Sequence, residues 1–276
     1  MRVTPGLRRV AYLVAALVIA AAFVAVYEFF VRTHAGQVVD ERAFLGASLW
    51  RSGLVAPLDR ILTVLPLVSF GGGAILVLLI AAVRRNGKVL VAAIAAALAA
   101  NATTQLLKYA ILDRPNMGIG PQLANSMPSG HTTAAATTAL AVFLVSSPGL
   151  RPLVATLGAA FSTLIGAATL INQWHRPSDV IAALLVVAFW ACAAGFALAD
   201  SEEARAASPR RGPALPLLVG AASCAIVAGY GFRVTLVSTA TPDAHLLTAY
   251  AGGIASIAAV ALGLAWVGII AFRWVR

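Results

Sequence analysis

HRPSDVIAALLVVAFWACAAGFALA, residues 175–199, is the stretch whose reading decides the fold. Polar and turn-forming residues from His175 to Asp179 lead straight into an uncharged run from Val180 to Ala199. At about 1.5 Å per helical residue, a run of this length crosses the roughly 30 Å hydrocarbon core of a bilayer. Pro177 suits a first helical position, and Asp179 then falls in the first turn, where a carboxylate complements the helix dipole. The stretch predicts a membrane-crossing helix that opens on an ionisable cluster. Such groups at the edge of hydrocarbon are expensive unless protein or a wetted cavity surrounds them, so the cluster calls for a chemical reason.

Working outward, the same length criterion predicts eight spans: 10–31, 61–83, 89–107, 129–147, 153–174, 178–199, 214–232 and 246–270. Composition agrees: 61% of the 276 side chains are hydrophobic and 11% are charged, against about 25% charged in soluble chains. The prediction is an all-α polytopic transmembrane bundle. Residues 1–199 supply a core of six spans, 200–213 a charged, proline-containing cytoplasmic linker, and 214–276 two additional spans. The first apolar run, Val10 to Val31, exceeds the roughly 7–15 residues of a signal-peptide core and reads as a retained span.

The net charge of +10 is distributed over short links between apolar runs, as membrane topology requires. No basic stretch interleaved with aromatics points to nucleic acid. Cys192 and Cys224 lie inside apolar segments and provide neither a disulfide framework nor a metal quartet. With an even number of spans, both termini share a side. Twelve Lys and Arg residues fall on that side, including Arg8, Arg84, Lys88, Arg151 and Arg273, and eight on the other. The bias predicts cytoplasmic termini, a cell-membrane location and an extracytoplasmic site. Between the first two spans, residues 32–60 carry Phe44, Leu45, Leu49, Trp50, Leu54 and Val55 among charges, which predicts a helix lying along the outer interface.

Three clusters share the outer side. Pro128-Ser129-Gly130-His131 stands where the fourth span begins; its unpaired N–H groups, the helix dipole and a glycine make an anion cradle holding a histidine. The same tetrapeptide also reads as an ordinary capped helix start. His175 and Asp179 are four residues apart, so the carboxylate can reach back to one ring nitrogen and leave the other free to attack; alternatively Asp179 only complements the dipole. Lys108 and Arg114 end the third span as anion ligands or as interfacial anchors. Asp113 reads as a surface partner for a neighbouring cation.

In order and type, these clusters resemble the motifs of the type 2 phosphatidic acid phosphatase superfamily, membrane lipid phosphatases related to vanadium haloperoxidases. Lys108 with Arg114-Pro115 matches its first motif, Pro128 to His131 its second, and His175 with Asp179 the end of its third. The resemblance implies hydrolysis of a lipid phosphate or polyprenyl diphosphate without a metal or other cofactor. His175 would attack phosphorus to form a phosphohistidine, Asp179 would orient it, and His131 would protonate the leaving oxygen. Lys108, Arg114, Ser129 and Gly130 would hold the phosphate. One departure stands out: the third motif usually begins with Ser-Arg, and the corresponding residues here are Ala168 and Thr169. Arg176 is the expected substitute, with Arg233 as a second choice. The implied partner is a membrane lipid substrate, not nucleic acid. The alternatives are a lipid phosphotransferase using the same intermediate and an inactive lipid-binding or transport protein.

Overall fold

The computed structural model describes residues 4–50, 57, 59–64, 71–120, 124–199, 215–237 and 245–273. Among them the protein is helical and strand-free. The helices are α1 (Pro5–Phe30), α2 (His34–Ala47), α3 (Gly73–Arg84), α4 (Gly87–Leu106, continued by a π turn Leu107–Ile111), α5 (Gly130–Val145), α6 (Arg151–Ile171), α7 (Pro177–Leu198), α8 (Leu215–Val237) and α9 (Leu246–Ala271). Six of these are long and apolar enough to cross a membrane: α1, α4 with its π turn, α6, α7, α8 and α9. The protein is a multi-pass, all-α membrane bundle.

The fourth predicted span is shorter than expected. α5 has 16 residues, a rise of about 24 Å. Ser129 caps one end, and at the other Ser146 turns extended while its hydroxyl reaches back to the Val142 carbonyl. Of the predicted span 61–83, residues 65–70 lie outside the described residues, as does the linker 200–213.

Lipid exposure and burial divide the helices. Leu7, Leu17 and Val18 of α1 are each about 60% exposed, the surface expected of a helix facing acyl chains. α7 is its opposite, buried continuously from Pro177 to Val187 and packed by α1, α4, α5 and α9. Small residues allow the closest approaches. A Cβ on Gly231 of α8 would lie 2.8 Å from the Gly252 Cα of α9. A Cβ on Gly253 would meet Pro177 Cγ at 2.8 Å and Ala43 Cβ at 3.1 Å. α9 therefore rests directly on α2 and on the first residue of α7, besides packing along α6.

The two ends of the bundle are held differently. At the end carrying the termini, Tyr12 Oη donates to the Ala271 carbonyl at 2.7 Å. Arg151, 2% exposed, donates to the carbonyls of Phe143 (3.3 Å), Leu144 (3.1 Å) and Phe272 (2.7 Å). Arg84 reaches Val145 and Ser146 in the same way. A cation on the unpaired carbonyls of a helix C-terminus satisfies both their hydrogen bonds and the dipole. Residues counted above as topology charges are also clasps.

α2 sits at the opposite end and corrects the interfacial expectation. Its polar residues face inward: Gln37, Asp40 and Glu41 are 1%, 1% and 3% exposed, whereas Leu45 and Leu49 are 38% and 58% exposed. Gln37 Nε2 donates to the carbonyls of Val31 and Pro115 at 2.7 and 2.9 Å. The two acids find donors at the start of α7, so polar residues are buried together with Ala43, Phe44 and Ala47. Leu54 and Val55 lie outside the described residues.

Replacing Arg151 by Met should strand three buried carbonyls and lower stability by at least about 1.5–3 kcal/mol, measured as the unfolding midpoint of the detergent-solubilised protein. An unchanged midpoint would show that the clasp is incidental.

Candidate active site

Asp179 occupies the third position of α7, from which its carboxylate folds back over the helix start. Oδ2 accepts from the Arg176 N–H at 2.9 Å and from Ser126 Oγ at 2.6 Å, and lies 3.2 Å from His175 Nδ1. An ionised carboxylate only accepts, so this contact places the proton on Nδ1 and leaves the Nε2 lone pair free. His175 and Asp179 are 4% and 1% exposed. The sequence-level pairing across four residues is realised.

The second motif is fastened to the third through the backbone. The Ser129 N–H donates to the Asp179 carbonyl at 3.0 Å, after a cis Met127–Pro128 peptide. Ser129 Oγ accepts from the Thr132 N–H and Thr132 Oγ1 at 3.4 and 3.0 Å. Ser129 thus spends its N–H and its cap within the protein. The first-turn N–H groups of Gly130 and His131 are the donors the helix itself leaves over. The space before Gly130 is open: a Cβ there would meet only Gln105 Nε2, at 3.7 Å. The His131 ring packs 5.2 Å from the Trp174 ring, donates toward the Leu62 carbonyl, and lies close enough to His175 and Lys108 to feel their charges. Both histidines therefore stand at the end of the bundle away from the termini.

The first motif joins them. Lys108 lies in the π turn closed by Leu112 N–H to the Leu107 carbonyl at 2.9 Å, with Nζ 5.7 Å from the Tyr109 ring centre. Asn125 donates to the carbonyls of Lys108 (3.2 Å) and Met127 (3.0 Å), so one amide ties the end of α4 to the segment entering α5. Arg114 is half-buried; burial first, then the charge of Arg176, lowers its pKa from the ordinary value, while Asp40, Asp179 and Glu41 oppose the shift. One of its terminal nitrogens is buried without a hydrogen-bond partner among the described residues. Asp113 pairs at the surface with Arg32, at 2.9 Å, as expected of it.

Arg176 does not stand where a phosphate ligand was expected. It is 1% exposed, directs Nε and a terminal nitrogen to Glu41 Oε2 at 2.7 Å each, and lies over the Phe44 ring at 5.2 Å. A guanidinium in the interior needs a counter-charge, and α2 supplies it. The second choice, Arg233, lies on α8 beside His245. Thr169 is fully buried, its hydroxyl donating to the Gly166 carbonyl at 2.7 Å and its own carbonyl accepting the Trp174 N–H at 2.9 Å.

Sequence reasoning missed Asp40 and Glu41. Asp40 accepts from Ser178 through both the backbone N–H (3.0 Å) and Oγ (2.5 Å). Burial, reinforced by the charge of Asp179, pushes its carboxyl from the ordinary 3.8 up to about 7. Glu41 also explains Gly120, which has φ +70° and no room for a side chain: a Cβ would fall 2.2 Å from Glu41 Oε1.

Residues 88–199 match the family model described as the PAP2 superfamily. That segment runs from α4 to the end of α7 and carries Lys108, Arg114, His131, His175 and Asp179. No curated protein and no solved structure matches the chain.

The raised carboxyl of Asp40 has a signed consequence. The folded protein keeps this proton up to about pH 7, whereas the unfolded chain releases it near pH 4. Its contribution to stability is thus full below about pH 4 and is lost as pH rises through about 7. Asp40→Asn should remove this component, so the drop in unfolding temperature between pH 5 and pH 8 becomes smaller than in the wild type. An identical drop in both proteins would refute the assignment.

Proposed function

Because residues 88–199 belong to the PAP2 superfamily, a family of phosphatase-type enzymes acting on phosphate esters, we propose that this membrane protein hydrolyses a lipid phosphate or polyprenyl diphosphate through a phosphohistidine on His175. The observation that carries the reading is the 3.2 Å contact of His175 Nδ1 with Asp179 Oδ2, with His131 held at the same end of the bundle.

His175 Nε2 attacks phosphorus and the P–O bond to the leaving group breaks. His131 donates the proton that the departing oxygen requires. Water then attacks the phosphohistidine, His131 takes up its proton, and the P–N bond breaks to release inorganic phosphate. Asp179 holds the imidazole in one tautomer and balances the charge it gains. Lys108, Arg114 and the first-turn N–H groups at Gly130 and His131 stabilise the nonbridging oxygens; a single preorganised donor of this kind is worth about 3–4 kcal/mol. Ser129 fixes the cradle as a cap. Arg176 acts as a positioning residue that anchors the loop carrying His175 to Glu41.

The substrate class follows from placement. All these groups lie at the end of the bundle opposite the termini. With the cytoplasmic termini that the charge bias predicts, this end faces the outer leaflet, which supports a membrane lipid as substrate. The absence of a cation at Thr169 is the observation that favours the rival, a lipid-binding protein without turnover.

Two experiments separate these readings. Purified protein given a panel of lipid phosphates should release inorganic phosphate, His175→Ala should release none, and His131→Ala should lose about 10²–10⁴-fold; phosphate release by a folded His175→Ala protein would overturn the nucleophile. For orientation, a cysteine at Ala124, which is exposed at the site end, should react in intact cells with a membrane-impermeant maleimide, and one at Arg273 should not. The reverse pattern would invert the topology.

A further inference from the structure

Among the buried charged residues at the histidine end, Asp40 has no part in the phosphoryl-transfer scheme. It is 1% exposed and reaches Ser178 across 138 residues of chain. The contact answers a deficit in the sequence of α7. That helix starts after Arg176, whose side chain makes no capping hydrogen bond, because a guanidinium has no acceptor. Pro177 has no N–H, so the first orphan donor of the turn belongs to Ser178. Asp40 accepts it with Oδ1 at 3.0 Å and accepts the Ser178 hydroxyl with Oδ2 at 2.5 Å. A carboxylate from another helix thus performs the capping that a local Ser, Thr or Asp ordinarily supplies.

The next residue in the chain is Asp179. Its Oδ2 serves His175 at 3.2 Å, the Arg176 N–H at 2.9 Å and Ser126 at 2.6 Å. Its Oδ1 is buried with no hydrogen-bond partner among the described residues. Without Asp40, the N–H and hydroxyl of Ser178 would be stranded in the interior, a costly state for any donor, one residue from that unoccupied acceptor. Turning the Asp179 carboxylate toward them would relieve both groups. The His175 contact, the longest of the three, is then the first to be lost. Asp40 is close enough to feel the charges of Asp179 and Arg176, which sets it beside this pair.

We propose that Asp40 is a positioning residue for the His175–Asp179 pair: by engaging both donors of Ser178, it holds the first turn of α7 and reserves the Asp179 carboxylate for the imidazole. It touches neither substrate nor reacting atoms, and its effect passes through Ser178. The inference rests on the phosphatase reading of the site.

The test compares wild type, Asp40→Ala, Asp40→Asn and Ser178→Ala as purified full-length proteins in detergent. One readout is phosphate release from a lipid phosphate. The other is the nitrogen NMR signature of the His175 ring in histidine-labelled protein, assigned by its loss in His175→Ala. Asp40→Ala should lower kcat about 10²-fold, the cost of a small misplacement, while KM stays close to wild type. It should also turn His175 from a single Nδ1–H tautomer into a mixture. Asp40→Asn keeps an acceptor for the Ser178 N–H and should restore the tautomer and most of kcat. Ser178→Ala removes the hydroxyl bond alone and should lower kcat about tenfold; it decides the matter if Asp40→Ala does not fold. Wild-type kcat with an unmixed tautomer in Asp40→Ala or Ser178→Ala would overturn the proposal. So would a loss confined to KM or to the folded fraction, or a tautomer that Asp40→Asn does not restore. Absence of phosphate release by the wild type is failure of the catalytic reading instead, and the tautomer comparison then decides the Asp40 assignment by itself.

Discussion

A single carboxylate organises the end of the bundle that holds both histidine motifs. Asp179 is buried, and an ionised group in that position is tolerable only when donors surround it. It gathers them from separate parts of the chain: Ser126 from the segment before α5, the Arg176 N–H from the turn before α7, and the His175 ring. Its carbonyl adds the Ser129 N–H. Both histidine-bearing segments are therefore fixed to the same residue, one through side chain and one through backbone. The placement of His131 relative to His175 is a consequence of keeping Asp179 satisfied.

Polar contacts do different work at the two ends. At the terminal end, Arg84 and Arg151 close helix C-termini by donating to carbonyls. At the other, Glu41–Arg176 and Asp40–Ser178 pull a helix inward over the start of α7. Between them lies Ala- and Val-rich packing with few directional contacts, as expected where lipid supplies no hydrophobic drive and close approach of small residues must hold helices together.

What the sequence disclosed follows this division. Apolar runs of span length are visible residue by residue because the bilayer imposes one length on all of them. The His175–Asp179 pairing is visible because it is local, four residues apart at a helix start marked by Pro177. α2 was not. Gln37, Asp40, Glu41 and Phe44 share one helical face, so the face itself is legible from spacing. Whether that face turns inward depends on Arg176 and Ser178, more than 130 residues further on, and no periodicity carries that information. Arg176 was misjudged for the same reason, its partner lying on the segment read as interfacial. The shortness of α5 comes from the Ser146 turn, a side-chain hydrogen bond that apolar composition does not encode. Thr169, which stands where the family motif has a cation, turns its hydroxyl into its own helix.

The contact of Gly253 with Pro177 and Ala43 has a mechanical consequence. The C-terminal hairpin is wedged behind the first residue of α7, so it behaves as a buttress and not as an appendix. Excising it would bare the backs of α2 and α7 together. With that fit leaving no room for a side chain at residue 253, the hairpin and the start of α7 form one mechanical unit.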